Sequence, residues 1–417
     1  MPFLTRIIIF SLIALLVDFY FYQAVVTVFK ENAPSQKSII ANVYWSITII
    51  TFLFFIIPAI VPSFHWPKFF RIYFLGILGM LFFSKMIGSL FILMDDVLRL
   101  FRWIATYFHS SVPVSPVNNH NISRLIFLNK IALGMAVIPF VGFVYGMVKG
   151  AFDYKIHRVK VVLPNLPDAF NGLKILHISD IHSGSFVSTV HLQQAVKLIN
   201  EQQADIVFFT GDLVNDRASE MEMHIETLSG IKASMGVYST LGNHDYGDYV
   251  KWDSVEEKRK NLESLKNVHT KLGWKLLMNE HVALTRGDSE IAVIGIENWG
   301  GNLNFPKYGD LKKAYSGTEK YPVKLLLSHD PSHWNMQVKE EYKDIDITFS
   351  GHTHGFQFGI EIPGFRWSPS QYFYKQWAGL YRHEKQYVYV NRGLGFLGYP
   401  GRVGILPEIT VMELVKA

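Results

Sequence analysis

The chain has 417 residues, 49% of them hydrophobic, with positive mean hydropathy and no cysteine. Without cysteine there are no disulfides, thiolate metal sites or cysteine nucleophiles, so a metal site must draw on His, Asp, Glu or Asn, donors suited to Mn, Fe or Zn. The formal net charge is only +5 and no long Lys/Arg run occurs, so a polynucleotide footprint is not evident and no nucleic-acid partner is expected.

Apolar residues concentrate before about residue 150. A bilayer core needs about 20 mostly apolar residues per helix. Runs at 7–29, 38–61, 72–94 and 125–148 all reach that length. The first is too long for a signal peptide, and no small-residue cleavage site follows it. These runs predict an all-α transmembrane bundle of about four helices over residues 1–150. They make the chain a multi-pass membrane protein with membrane lipids as partners, in the inner membrane if the source is bacterial. Asp18, Lys85 and Lys130 fall inside the runs, where ionisable groups either face one another or serve a function. Segment 95–108 mixes charge with Leu, Phe and Trp and reads as an amphipathic helix lying in the interface. Arg6, Lys68, Arg71, Lys149, Lys155, Arg158 and Lys160 fall on one side of the runs. Lys30, Lys37, Arg99, Arg102 and Arg124 fall on the other. The bias favours cytoplasmic termini and a cytoplasmic catalytic domain.

From about Tyr154 the texture changes. "HRVKVVL" (157–163) alternates as a strand does. "LKILHIS" (173–179) and "ADIVFFTG" (204–211) are short apolar runs separated by helical spacing over 188–203. A helix-like stretch follows over 219–231, then the strand "GVYSTLG" (236–242) and a charged helix over 253–273. A hairpin over 281–298 precedes the runs "VKLLLSH" (323–329) and "DIDITFSGH" (344–352). Strands alternating with helices predict a layered α/β domain over 151–417.

The ends of these strands share a chemistry. One ends in Asp180 and His182, the next in Asp212, the next in Asn243, His244 and Asp245. Two later strands end in His329 and in His352 with His354. Gly211, Gly242 and Gly351 directly precede the ligand-type residue in three of the five, where a small residue lets the backbone turn sharply. A lone D-x-H is more often a surface turn, and GNHD alone is an ordinary Asn/Gly turn. Five such tips in succession fit convergence at the carboxyl ends of the strands of an α/β sheet.

"DIH" (180–182), "GDLVN" (211–215), "GNHD" (242–245), "SHD" (328–330) and "GHTH" (351–354) occur in that order. In this the segment 173–356 resembles the calcineurin-like metallophosphoesterase family. The resemblance implies a four-layer α/β/β/α sandwich with a two-metal centre. One ion would be held by Asp180, His182 and His354, the other by Asn243, His329 and His352, with Asp212 bridging them. His244 would contact the phosphate and protonate the leaving alkoxide, and Asp245 would orient it. The chain departs from many members at Asn215, where Asp is common; that position lies outside the ligand set.

Two carboxylates against two divalent ions leave a centre of about +2, which suits an anionic phosphoryl group and a metal-activated hydroxide. The expected activity is hydrolysis of a phosphoester or pyrophosphate bond on a lipid or lipid-linked phosphorylated substrate, since the helices hold the site near headgroups. The alternatives are the same chemistry on a soluble nucleotide, or a non-catalytic membrane scaffold. Arg392 and Arg402 either reach substrate phosphate or hold the C-terminal strands. The aromatic segment 365–381 is either packed interior, an apolar wall near the metals or a membrane-docking face. His157, His191, His224, His269, His281 and His333 lie outside the motifs and read as structural.

Overall fold

The computed structural model describes residues 3–61, 64–108, 120–301 and 305–417. The chain divides into two compact units, Met1–Tyr145 and Gly146–Ala417.

The long apolar runs become helices, the one conformation that satisfies every backbone group within a single segment in lipid. They are α1 (Phe3–Val28), α2 (Pro34–Ile60), α3 (Leu75–Phe108) and α4 (His120–Val148). Each carries a stretch long and apolar enough to cross a membrane. Phe21, Ala24 and Val25 of α1 pack against Ile92 of α3 and Ala132 and Ala136 of α4. Gly88 permits this approach: a Cβ there would lie 2.4 Å from the Phe21 ring and 2.8 Å from the Ala132 carbonyl oxygen.

Two of the three intramembrane charges face one another. Lys85 Nζ lies 2.6 Å from Asp18 Oδ1, and Thr48 donates to Asp18 Oδ2 at 2.7 Å. Lys130 is instead exposed on α4. The separate interfacial helix expected over 95–108 does not form. The segment continues α3, which with the helical turn Phe70–Phe74 before it forms an apolar span from Phe70 to Tyr107, 38 residues. At 1.5 Å per residue that is ~57 Å, well beyond a bilayer core. No Gly or Pro occurs between residues 89 and 108 to break it, and within the segment Arg99 Nε donates to Asp95 Oδ2 at 2.7 Å, one turn away.

The second unit opens with β1 (Lys155–Leu163) and β2 (Leu173–Ile178), followed by α5 (Val190–Glu201) and β3 (Ile206–Phe209). The one-turn α6 (Ile225–Leu228) leads to β4 (Val237–Ser239), α7 (Val255–Leu272) and β5 (Lys275–Leu276). Then come β6 (Glu280–Arg286), β7 (Ser289–Gly295), α8 (Leu311–Tyr315), β8 (Lys324–Leu327), α9 (Lys339–Glu341) and β9 (Ile347–Ser350). The chain closes with the ribbon β10 (Ile360–Ile362) and β11 (Phe365–Trp367), then β12 (Gly379–His383), β13 (Gln386–Val390) and β14 (Glu408–Lys416).

Twelve of these strands form two six-stranded sheets, ordered β1-β14-β2-β3-β4-β5 and β12-β13-β9-β8-β7-β6. Strands β2, β3 and β4 run parallel, as do β7, β8, β9 and β13, while β14 inserts antiparallel beside β2. The period-2 geometry of a strand explains the layers. Ile175 and Phe208 point between the sheets to meet Val293, Leu325 and Phe349. Their neighbours Leu176 and Phe209 point outward, under Leu192 of α5 and Leu265 of α7. On the far side Ala292 and Leu326 pack against Leu311 of α8 and against Trp334. The order is helix, sheet, sheet, helix, and these central strands are apolar on both faces because both are covered.

The helix expected over 219–231 is two short pieces, a 3-10 turn at Ala218–Met221 and the single turn of α6. The Glu220 carboxylate folds back onto the backbone N–H groups of Asn215, Asp216 and Arg217, which ties the segment to the preceding loop.

Candidate metal centre

The tips of β2, β3 and β4 from one sheet and of β8 and β9 from the other meet at one edge of the sandwich. β2, β3 and β8 end on the buried apolar residues Ile178, Phe209 and Leu327, β4 and β9 on the buried Ser239 and Ser350, and the chain then turns. Asp180, His182, Asp212, His352 and His354 all have φ between 50° and 70°, the left-handed region that non-glycine residues seldom adopt. Strain of this kind gathers where surrounding structure imposes it. The glycines before the ligands make the crowding possible. A Cβ on Gly351 would lie 1.9 Å from Ser179 Oγ and 2.2 Å from Asp180 Oδ2. One on Gly242 would lie 2.2 Å from Asp212 Oδ1.

The seven expected ligands form two clusters. In the first, His182 Nε2 and His354 Nε2 are 3.0 Å apart, and His354 Nε2 lies 3.3 Å from Asp180 Oδ1. In the second, His352 Nδ1 lies 2.8 Å from Asn243 Oδ1 and 3.2 Å from His329 Nε2. Asp212 Oδ2 stands between them, 3.5 Å from His182 Nε2 and 3.2 Å from His329 Nε2. Asp180, His182, Asn243, His329 and Asp212 are essentially sealed from solvent.

This donor set fits cations. Two imidazole nitrogens 3.0 Å apart can share only one proton, and the carboxylates around them add acceptors without donors. The tautomers are set for coordination. His329 Nδ1–H donates to the Thr210 carbonyl at 2.6 Å, which leaves Nε2 free for the cluster. His352 Nε2 faces the Tyr374 hydroxyl at 2.8 Å, which leaves Nδ1. Asn243 Nδ2 donates to the Tyr249 hydroxyl at 2.8 Å, which turns its oxygen inward. Burial alone would lower His329, but the Asp212 carboxylate beside it pushes it up to about 10. Burial opposes charge on Asp212 as well, yet His329 and His244 hold it well below the usual carboxylate range. A proton on His329 thus balances Asp212, a place a divalent ion can take with release of the proton.

His244 borders the site without joining either cluster. Its Nδ1 lies 2.8 Å from the Asn215 carbonyl oxygen, and its backbone N–H donates to Asp212 Oδ1 at 2.9 Å. With Nδ1 held, Nε2 is the nitrogen left for a ligand. Asp245 does not do the orienting expected of it. Its carboxylate accepts from the backbone N–H groups of Asp212, Leu213 and Gly242 at 2.8–2.9 Å. It is fully buried, where desolvation and then the Asp212 charge push it up to about 7. Asp245 therefore ties the β3 and β4 turns together, and the Asn215 main chain orients the imidazole. The Asn215 side chain, where the chain departs from many relatives, meets Ser185 at 3.2 Å and no ligand.

Arg392 and Arg402 are 2% and 1% exposed. Arg392 pairs with Glu361 and Glu408, and Arg402 donates to the carbonyls of Gly393 and Gly395. They hold the C-terminal loops rather than reach substrate. A cavity of about 290 Å³ opens over the clusters. Asp212, Asn243, His244, His352 and His354 form its polar floor, and Phe305, Phe356, Phe373, Tyr374 and Leu397 add an apolar rim. Tyr374 and Tyr249 have no signal of their own in the sequence beyond, for Tyr374, the aromatic density of its segment.

Comparison with known proteins agrees with this geometry. Residues 173–356 match the family described as "Calcineurin-like phosphoesterase", and residues 5–151 match "Probable Calcineurin-like phosphoesterase, transmembrane domain". A Danio rerio "Transmembrane protein with metallophosphoesterase domain" is 34% identical, the match covering 66% of this chain and 60% of that protein. Its Bos taurus namesake is 30% identical over the same shares. The Escherichia coli "Phosphodiesterase YaeI" is 26% identical, covering 70% of this chain and 100% of that protein. The match thus spans about 60% of the length of the two vertebrate relatives. The chain carries a calcineurin-like metallophosphoesterase domain, with a four-helix transmembrane domain of the kind found with such phosphoesterases ahead of it.

Proposed function

We propose that the protein is a membrane-anchored, two-metal phosphoesterase that hydrolyses a phosphoester or pyrophosphate bond of a lipid or lipid-linked substrate. The observation that carries the chemistry is the pair of ligand clusters sharing Asp212 Oδ2 beneath an open cavity. When bound, divalent ions such as Mn, Fe or Zn supply Lewis acidity and a hydroxide nucleophile near neutral pH. The chain's own residues do the rest. Asp180, His182 and His354 hold one ion; Asn243, His329 and His352 hold the other. His244, fixed through Nδ1, offers Nε2–H to the leaving alkoxide. The apolar rim of Phe305, Phe356, Phe373 and Leu397 supports a substrate with hydrocarbon beside its phosphate. The Lys/Arg bias supports a cytoplasmic catalytic domain.

The test is turnover by purified full-length protein, reconstituted with Mn, Fe or Zn, on phospholipid and nucleotide panels. Hydrolysis of a lipid phosphoester that stops on chelation is expected, with His244→Ala and Asn243→Ala strongly impaired. Equal turnover by both variants would mean that the activity belongs to a contaminant. Turnover confined to nucleotides would overturn the lipid substrate while leaving the chemistry in place.

A further inference from the structure

The ribbon β10–β11 inverts the usual pattern of an exposed hairpin. Its register pairs Ile360 with Trp367, Glu361 with Arg366, and Ile362 with Phe365. A hairpin packed on a protein and facing water turns its apolar side chains in and its charges out. Here Glu361 turns to the body and pairs with Arg392, and Arg366 lies 4.9 Å from the centre of the Trp377 ring. The apolar side chains turn outward: Ile360 is 48% exposed, Ile362 58% and Phe365 52%. The tip is Pro363–Gly364, with Gly364 at φ 81°, a tight turn that carries no charge.

The patch does not end at the ribbon. Phe356 and Phe373 are exposed by 55% and 54% and also line the metal cavity, and Tyr372 beside them is 72% exposed. Trp367 of the ribbon reaches this group, its indole Nε1–H 3.4 Å from the Tyr372 hydroxyl, so apolar surface runs from the ribbon toward the rim of the site. A cluster of this kind on a water-soluble domain marks an interaction surface. The medium at hand is lipid. The last membrane helix ends at Val148 and β1 begins at Lys155, so six residues tether the domain to the membrane helices. Tyr and Phe beside a compact apolar tip suit the headgroup–acyl boundary.

We propose that the β10–β11 ribbon inserts its tip into the lipid interface, so that the cavity rim formed by Phe356 and Phe373 opens against the membrane. This rests on membrane anchoring and not on the lipid-substrate reading, so the two can fail separately.

The absence of cysteine makes the test clean. Ile362→Cys and Phe365→Cys each carry a single environment-sensitive fluorophore in the full-length protein, reconstituted into vesicles of phosphatidylcholine and phosphatidylglycerol. Val255→Cys, at an 87% exposed position that starts α7, is the control. At 362 and 365 the emission is expected to be blue-shifted, quenched by nitroxide-bearing lipid and insensitive to aqueous iodide; at 255 the reverse. Iodide quenching at both ribbon positions equal to that at 255 would overturn the proposal. So would efficient oxidative cross-linking between two copies of the unlabelled Phe365→Cys variant in the vesicles, which would assign the patch to a second chain. These readouts do not depend on turnover, so lipid insertion with activity only on nucleotides would keep the docking surface and remove the lipid substrate.

Discussion

His244 is held by one nitrogen and offers the other, and that separates its role from that of the ligands. His244→Ala should lower turnover of a phosphodiester with an alkyl leaving group by about 10²–10⁴-fold, the usual contribution of a general acid, while elemental analysis finds the metal content unchanged. Asn243→Ala should lose metal as well as turnover. Tyr374 acts one step removed, through His352. Tyr374→Phe removes the hydroxyl facing Nε2 and should weaken metal binding by about 10–100-fold, the usual effect of losing a partner behind a ligand. Competition with a fluorescent chelator reads this directly. Away from the site, His269 lies fully buried against Ser239, its Nδ1 2.9 Å from the hydroxyl, and burial holds it down at about 3 from an ordinary 6.5. The unfolded chain takes up a proton there as the pH falls below about 6.5 and the folded chain does not. The stability this group contributes is therefore complete above pH 6.5 and is lost as the pH falls toward 3. The thermal midpoint in detergent should drop more steeply between pH 6.5 and 4.5 for wild type than for His269→Gln.

At the scale of elements, the decisive feature is the strand tip. At four of the five strand tips a left-handed or glycine residue, at Asp180, Gly211, Gly242 and Gly351–His352, turns the chain beside the ligands. Gly351→Ala should therefore fail at the site before it fails in the core. Its Cβ would collide with Ser179 and Asp180, so the tips must separate; reduced metal content with far-ultraviolet circular dichroism preserved is the expected outcome. These tips are legible in the sequence because apolar runs end in recognisable residues. The 219–231 segment is not, because its apolar spacing is helical while Glu220 takes up the backbone donors of the preceding loop. Periodicity reports which face is buried and not which hydrogen bonds compete.

At the scale of the whole molecule, the membrane unit carries its own internal constraint. Asp18 and Lys85 are both 7% exposed and paired at 2.6 Å. Removing one partner of such a pair leaves a buried charge, a cost of about 3–5 kcal/mol, whereas replacing both by apolar groups is often neutral. Lys85→Met should lower the melting temperature in detergent, followed by tryptophan fluorescence, and Asp18→Leu/Lys85→Met should recover most of the loss. A double variant as unstable as the single one would show that the two side chains do not act as a pair.

Length, hydropathy and the ends of apolar runs were enough to read the membrane helices, the layered α/β domain and the metal-competent strand ends, because each follows from local rules of burial, period and turn; which seven of those residues would be ligands is implied by the family resemblance. The partners of those residues were not readable. Asn215 behind His244, Tyr374 behind His352, and the Asp212 and Leu213 N–H groups on Asp245 lie 29, 22 and 33 or 32 residues away in the chain. The outward face of the β10–β11 ribbon likewise depends on Arg392 and Trp377 drawing its charges inward. Composition sets what a side chain can bind, but only packing of distant segments sets what it meets.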